Sequence, residues 1–346
     1  MDINLTGYLL MMAGGALLCV LWFFAAFRRQ AGNQKAAALS GLILLLGIVL
    51  GVVCARLSWI LMRFNAFQSR DLFSLRYDEL SYFGGVAGVI LAVWLSAKIT
   101  GQSGRSVLNA FAPMGALMAA VARFAEGFLG EYGVGYVEEW FEKGLFFPVT
   151  IGIAWDEYES EYYLAVFMLS GIFCLIAMIV SLFRSGEHNR LTRTLFYICL
   201  PQILLESLRM MSINWLFVRV EMLLCFLFCE AVLVFYAIKA SPKKLRSWVP
   251  AIVGLLVCGI VIVGEFTLDG KITLGGQYIS KWIVYGVEIA GLAAMAIAEN
   301  RGHRRIAKKK KKMKIEDWWK KQLSRAVSFY LIISPADTHL SAIFSP

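Results

Sequence analysis

Apolar residues fill most of this chain in stretches about as long as a bilayer is thick, separated by short polar connections. Nine such stretches stand out, at roughly 7–27, 38–62, 82–97, 107–124, 162–183, 194–211, 215–238, 248–266 and 277–298. A run of about 18 or more apolar residues is long enough to cross a membrane as a helix. Helix is the form such a run must take, because lipid offers no partner to free backbone N–H and C=O groups. The pattern predicts an all-α fold, a polytopic transmembrane helical bundle of about nine spans. The first run has no basic stretch before it and no small-residue cleavage site after it, so it reads as a retained helix rather than a signal peptide. Only the connection 125–161 has room for structure of its own.

Composition agrees with the pattern. The chain of 346 residues is 59% hydrophobic and 17% charged, with a mean hydropathy of +0.66. A water-facing domain cannot hide that much apolar surface. All seven cysteines fall inside predicted spans, where thiols behave as small hydrophobes, so no disulfide framework is implied. Cys225 and Cys229 share a helix face, but a metal site would want His or further Cys beside them. No metal or other cofactor is expected.

Charge sets the orientation. Basic residues gather after span 1 (Arg28, Arg29, Lys35), span 3 (Lys98, Arg105), span 5 (Arg184, Arg190, Arg193), span 7 (Lys239, Lys243, Lys244, Arg246) and span 9. The alternate connections are poor in them. Connection 125–161 holds Lys143 against nine acids: Glu126, Glu131, Glu138, Glu139, Glu142, Asp156, Glu157, Glu159 and Glu161. Cytoplasmic loops carry the Lys/Arg excess, so the N-terminus is expected outside, the C-terminus inside and the acidic connection outside. The run KKKKKMK at Lys308–Lys314, followed by Trp318 and Trp319, reads as an anchor on anionic membrane lipids in preference to a nucleic-acid arm. No role is read for Val327–Pro346.

Against this background, several charges lie where charge is costly. Arg56 and Arg63 fall at the end of span 2, Arg123 and Glu126 at the end of span 4, Glu206 and Arg209 at the end of span 6, and Arg219 and Glu221 at the start of span 7. In the expected topology all converge near the outer surface. Ionisable groups inside spans are functional candidates when they face the bundle interior or water. Two plainer readings stand beside that one: the arginines snorkel to outer headgroups, or they pair with Glu126, Glu206 and Glu221 to hold helices together. A guanidinium cluster suits an anionic phosphate headgroup, because the planar fork matches phosphate geometry. In SYFGGVAGV (Ser81–Val89), Gly84, Gly85 and Gly88 leave one face bare, either for close helix packing or for approach of a lipid. Lys281 and Glu288 in span 9 hint at polar contact or interfacial placement.

At these residues the chain resembles the prolipoprotein diacylglyceryl transferase family. ARLSWILM (Ala55–Met62) resembles the family's GGRLGYVLF-type segment, and SYFGGVAGV its SFHGGLIG-type segment. APMGALMAAVARFAEGFLGE (Ala112–Glu131) resembles the signature ending in GRLGNFINGE, and QILLESLR (Gln202–Arg209) the RFIVEFFR-type segment. The resemblance covers roughly residues 7–238, or seven helices, and the family shares the N-outside, C-inside orientation. Arg56, Gly84, Gly85, Arg123, Gly130, Glu131, Glu206 and Arg209 stay in register. Phe83 stands where the family has His, and Glu126 and Leu129 where it has Asn-x-x-Asn. The chain's histidines, His188, His303 and His339, lie in an inner loop or the tail, so none serves as a base at the outer site.

The resemblance implies a bacterial plasma-membrane enzyme of lipoprotein biosynthesis. In that family the lipobox cysteine thiol of a prolipoprotein signal peptide attacks the glycerol carbon of phosphatidylglycerol, a thioether forms, and glycerol phosphate leaves. Arg56, Gly84, Gly85, Arg123 and Gly130, joined by Arg219 of the charge cluster, are the expected headgroup-binding residues. Glu126, Glu206 and Arg209 are the expected catalytic residues, with a carboxylate as base in place of the missing histidine. Two other readings remain: a lipid-binding relative that has lost the chemistry, which Phe83 and Leu129 favour, and a transporter, which would place its charges at the midplane. The expected organisation is a family-like membrane domain over 1–240, two added helices over 241–300 and a basic cytoplasmic tail over 301–346.

Overall fold

The computed structural model describes residues 3–63, 79–135, 148–154, 160–184, 189–210, 214–215, 218–240, 245–268, 272 and 279–333. Most acids of the connection 125–161, together with His188, His339, Lys243, Lys244 and the end of the tail, lie outside the described residues.

Among the described residues the helices are α1 (Leu5–Ala31), α2 (Asn33–Met62), α3 (Tyr82–Ile99), α4 (Gly104–Ala125), α5 (Val166–Arg184), α6 (Arg190–Ser207), α7 (Val220–Ala240), α8 (Leu245–Leu268) and α9 (Lys281–Ile333). Between α4 and α5 lie a 3-10 segment (Glu126–Gly133) and the antiparallel hairpin β1 (Thr150–Ala154) and β2 (Ser160–Leu164). A second short antiparallel pair, β3 (Asn214–Trp215) and β4 (Val218–Arg219), precedes α7. Among the described residues, eight helices are long and apolar enough to cross a membrane. The bundle wears its apolar side chains outward: Leu61 is 74% and Phe183 83% exposed. Such a surface is stable only against lipid, and the protein is a polytopic helical membrane protein.

The exception, α6, carries Arg190, Arg193 and Glu206 and packs on α4, α5, α7 and α9. Of these charges, Arg193 pairs with Glu299 and Glu206 with Arg123 inside the bundle. One core joins α1 to α4 through Phe23, Leu39, Val93 and Phe111, and another joins α6 to α9 through Phe196, Leu233, Tyr236 and Met295. A seam of small residues on α4, α5 and α6, including Ala120, Cys174 and Ala177, connects them.

Glycines set the closest approaches. Gly32, with φ 82°, reverses the chain between α1 and α2. On α3, a Cβ at Gly84 would strike the Cys54 carbonyl and Ser58, and one at Gly88 would strike Leu50 and Gly51. The bare face of SYFGGVAGV is therefore filled by the backbone of α2 at Gly84 and Gly88, whereas Gly85 has only ordinary contacts with Ala55 and Gly51.

Several expectations shift. Span 6, expected to reach residue 211, ends as α6 at Ser207, and α7 starts at Val220 after the β3–β4 pair. Arg209 thus follows a helix rather than riding on one. Arg193, read as an inner-loop charge, is buried in the first turns of α6. Helix α9 runs unbroken across residue 300 into the basic run. Glu288 is 1% exposed and packs against Gly264 of α8, so it is an interior group and not an interfacial one.

Candidate functional site

Helices α2, α4 and α6 finish, and α3 and α7 begin, at one end of the bundle. Their terminal residues bring the charges together. Arg123 closes α4 with its side chain fully buried. Its Nη1 donates to Glu126 Oε1 at 2.7 Å, and its Nη2 to Glu206 Oε1 at 3.2 Å. The Tyr82 ring, in the first turn of α3, lies 3.7 Å from its Cζ, and the Phe83 ring 5.9 Å. An aromatic face of this kind stabilises a desolvated guanidinium.

Arg209 comes to the same carboxylates from the other side. Its Nη2 donates to Glu126 Oε2 at 2.8 Å, and its Nε stands 3.4 Å from Glu206 Oε1. Backbone pairing holds it there: Gly135 bridges Arg209, Met210 N–H donates to the Val134 carbonyl at 3.0 Å, and Gly135 N–H to the Leu164 carbonyl at 2.8 Å. The chain after the 3-10 segment is thus pinned between β2 and the strand-like residues after α6. Gly135 fits because a Cβ would strike the Leu208 carbonyl.

Arg219 acts differently. Its Nη1 donates to the carbonyls of Glu206 and Arg209, both at 2.6 Å, capping the end of α6, where free carbonyls and the negative end of the helix dipole favour a cation. Gly130 turns the 3-10 segment with φ 66° and ψ −126°, a conformation a Cβ would strain. Asn4 N–H donates to the Phe128 carbonyl at 3.0 Å, tying the start of the chain to this cap.

Arg56 sits beside this cluster in a pair of its own. It is ion-paired with Glu79, and its Cζ lies 4.8 Å from the Trp59 ring. The two groups meet through Ser81, whose N–H donates to the Ala55 carbonyl at 3.1 Å and whose Oγ is 3.3 Å from Glu221 Oε1. The structure therefore joins Arg123, Glu126, Glu206, Arg209 and Arg219 directly and sets Arg56 next to them. Gly84 and Gly85 lie one turn away at the start of α3.

Sequence reading missed Glu79 and Tyr82. Glu79 falls in a connection with no periodicity to mark it. Tyr82 carries a fainter signal, as an aromatic following Ser81, the residue whose Oγ caps α3 by accepting from Gly84 N–H at 3.3 Å.

The fold and this end of the bundle define a multi-pass membrane protein with a buried arginine–carboxylate centre fed by five helix ends. The family model for prolipoprotein diacylglyceryl transferase matches residues 1–238, well over half of the chain, and the chain belongs to that family. At family level its activity is transfer of a diacylglyceryl group to prolipoproteins, a step of lipoprotein biosynthesis. Comparison with curated proteins finds no significant match. Helices α8 and α9 lie beyond the matched residues.

Proposed function

We propose that helices α1–α7 transfer the diacylglyceryl group of phosphatidylglycerol to the lipobox cysteine of prolipoproteins at the outer face of a bacterial plasma membrane. One observation carries the reading most directly: Arg123 and Arg209, from separate elements, aim their guanidiniums at the same point, where Glu126 now bridges them at 2.7 and 2.8 Å. An anionic phosphate of similar width suits that position. In the reaction the cysteine sulfur forms a bond to the glycerol carbon, the carbon–oxygen bond to phosphate breaks, and glycerol phosphate departs with the electron pair. Arg123 and Arg209 stabilise the charge that gathers on the leaving phosphate. The thiol proton goes to a carboxylate, Glu206 or Glu126, since Phe83 cannot accept it. Arg219 and Gly130 shape the clamp, Arg56 and Gly85 flank the headgroup path, and Gly84 serves instead to seat α3 against α2.

A second reading has its own support. A carboxylate already seated between both guanidiniums is what a lipid-binding relative with a self-neutralised clamp would have. Both are tested in membranes depleted of their own diacylglyceryl transferase, supplied with this protein, labelled phosphatidylglycerol and a lipobox peptide. Label on the peptide cysteine, lost in Arg123→Ala and Arg209→Ala, is the expected result. No transfer, with arginine-dependent phosphatidylglycerol binding intact, would replace the enzyme by the binding protein.

A further inference from the structure

At the opposite, lysine-rich end of the bundle, a cavity of about 610 Å³ opens between α3, α4, α6, α7 and α9. Its volume is in the range of sites that hold small amphiphilic ligands. One wall is apolar, built from Trp94, Leu108, Phe235 and Ile306, while Arg105 and Lys239 supply cations, and no acid is among the described residues that line it. One further cation stands at its edge, Lys98, whose Nζ lies 5.8 Å from the Trp94 ring, and Lys239 Nζ lies 5.6 Å from the Phe235 ring.

The helix ends reinforce this sign. Helices α4 and α6 both begin here, so their positive dipole ends face the cavity. Helix α7 ends here and would oppose them, but Lys309 Nζ donates to its last carbonyls, those of Lys239 and Ala240, at 3.1 and 3.0 Å. Lys309 lies one turn beyond Ile306 on α9. Helix α3 also ends here, but its last carbonyls accept from Thr100, Gly101 and Gln102 N–H. The helix added outside the family-matched residues thus supplies both part of the apolar wall and the cation that masks the α7 end.

We propose that this cavity binds one anionic phospholipid, its phosphate against Arg105 and Lys239 and its chains along Trp94 and Phe235. Charge complementarity, an apolar wall whose Trp94 and Phe235 stay 42% and 44% exposed, and placement at the basic end of membrane-spanning helices select a lipid over a soluble anion. The site is separate from the arginine–carboxylate centre and does not depend on the transfer reaction.

Native mass spectrometry of the full-length protein in detergent tests it, with dioleoyl phosphatidic acid and dioleoyl phosphatidylcholine titrated in parallel. The wild type is expected to retain the first phosphatidic acid about thirtyfold more tightly than phosphatidylcholine, the selectivity two headgroup-facing cations provide. Arg105→Gln/Lys239→Gln should erase that preference, and Leu108→Trp should weaken binding by filling the cavity. The charge-keeping pair Arg105→Lys/Lys239→Arg should preserve it, which separates loss of the site from loss of the fold. Lys35→Gln, at an exposed lysine that does not line the cavity, should leave the preference in place. Equal phosphatidic acid binding by the wild type and the Gln pair would overturn the proposal. So would displacement of the lipid by millimolar inorganic phosphate, which would mark a soluble-anion site.

Discussion

Glu126 and Arg209 meet at 2.8 Å, and the other oxygen of the same carboxylate accepts from Arg123 at 2.7 Å. One acid therefore bridges two guanidiniums delivered by different parts of the chain. Glu206, reaching Arg123 and Arg209 from α6, completes the balance. The signature this chain resembles has a neutral amide at the position of Glu126, so here the protein itself places a negative charge between the two guanidiniums.

That balance sets the first prediction. Glu126→Gln keeps the shape of the side chain and removes its charge, leaving two arginines facing Glu206 alone. Binding of phosphatidylglycerol, measured against phosphatidylcholine in nanodiscs, is expected to tighten about tenfold, the equivalent of ~1.4 kcal/mol. Unchanged binding would mean that the headgroup does not meet these arginines.

Arg123 gives the converse. Its side chain is fully buried and shared by two carboxylates and an aromatic face. Removing one partner of a buried pair costs about 3–5 kcal/mol, because the remaining charge stays desolvated. Arg123→Ala is expected to lower the melting temperature sharply, and Arg123→Ala/Glu206→Gln to recover part of the loss. A thermal melt of the purified protein reads both.

The bundle was legible in the sequence because lipid imposes one rule on every span, a run of apolar residues. The convergence of Arg123, Glu206, Arg209 and Arg219 followed from span direction alone. Partners set by tertiary contact were not legible. Glu79 lies in an aperiodic connection, and Arg209 leaves its helix because Gly135 and Val134 offer strand pairing where the apolar pattern simply continues. Arg193 resembled an orienting loop charge, since its partner Glu299 is 106 residues away.

Glycines test the packing between α2 and α3. A Cβ at Gly88 would run into the Leu50 carbonyl and Gly51, both backbone, so no side-chain adjustment relieves it. Gly88→Val is expected to cost several kcal/mol and to abolish accumulation of folded protein, whereas Gly47→Val, with open space around it, should be silent. Detergent-solubilised yield and monodispersity check the pair. A normal Gly88→Val protein would show that α2 and α3 do not approach as closely as described.

Orientation is tested independently of the site. The basic connections predict that the N-terminus and the segment around Asp156 face outward and that the C-terminus faces the cytoplasm. A green fluorescent fusion after Pro346 is expected to fluoresce, and a cysteine at position 156 in a background lacking the native cysteines should react with an impermeant maleimide in intact cells. Labelling confined to broken membranes would invert the topology and move the arginine centre to the other leaflet.

The added helices are held to the family-matched unit by a second buried network. Arg193 of α6 donates from Nε to Glu299 Oε1 of α9 at 3.0 Å and from Nη2 to Oε2 at 3.3 Å. Tyr197 and Tyr236 donate to the same carboxylate at 3.0 and 3.3 Å. Glu299 is fully buried, so its charge is tolerated only while Arg193 remains. Glu299→Ala should therefore destabilise by about 3–5 kcal/mol, and Arg193→Ala by a similar amount, each stranding a desolvated charge. Arg193→Met/Glu299→Leu removes both charges with little change in volume and is expected to recover part of the loss, since no charge is stranded while the Tyr197 and Tyr236 hydroxyls lose their acceptor. A double-mutant cycle on unfolding in mixed micelles measures the coupling. Additive losses, with no recovery in the double variant, would mean that α9 is held by its apolar face alone.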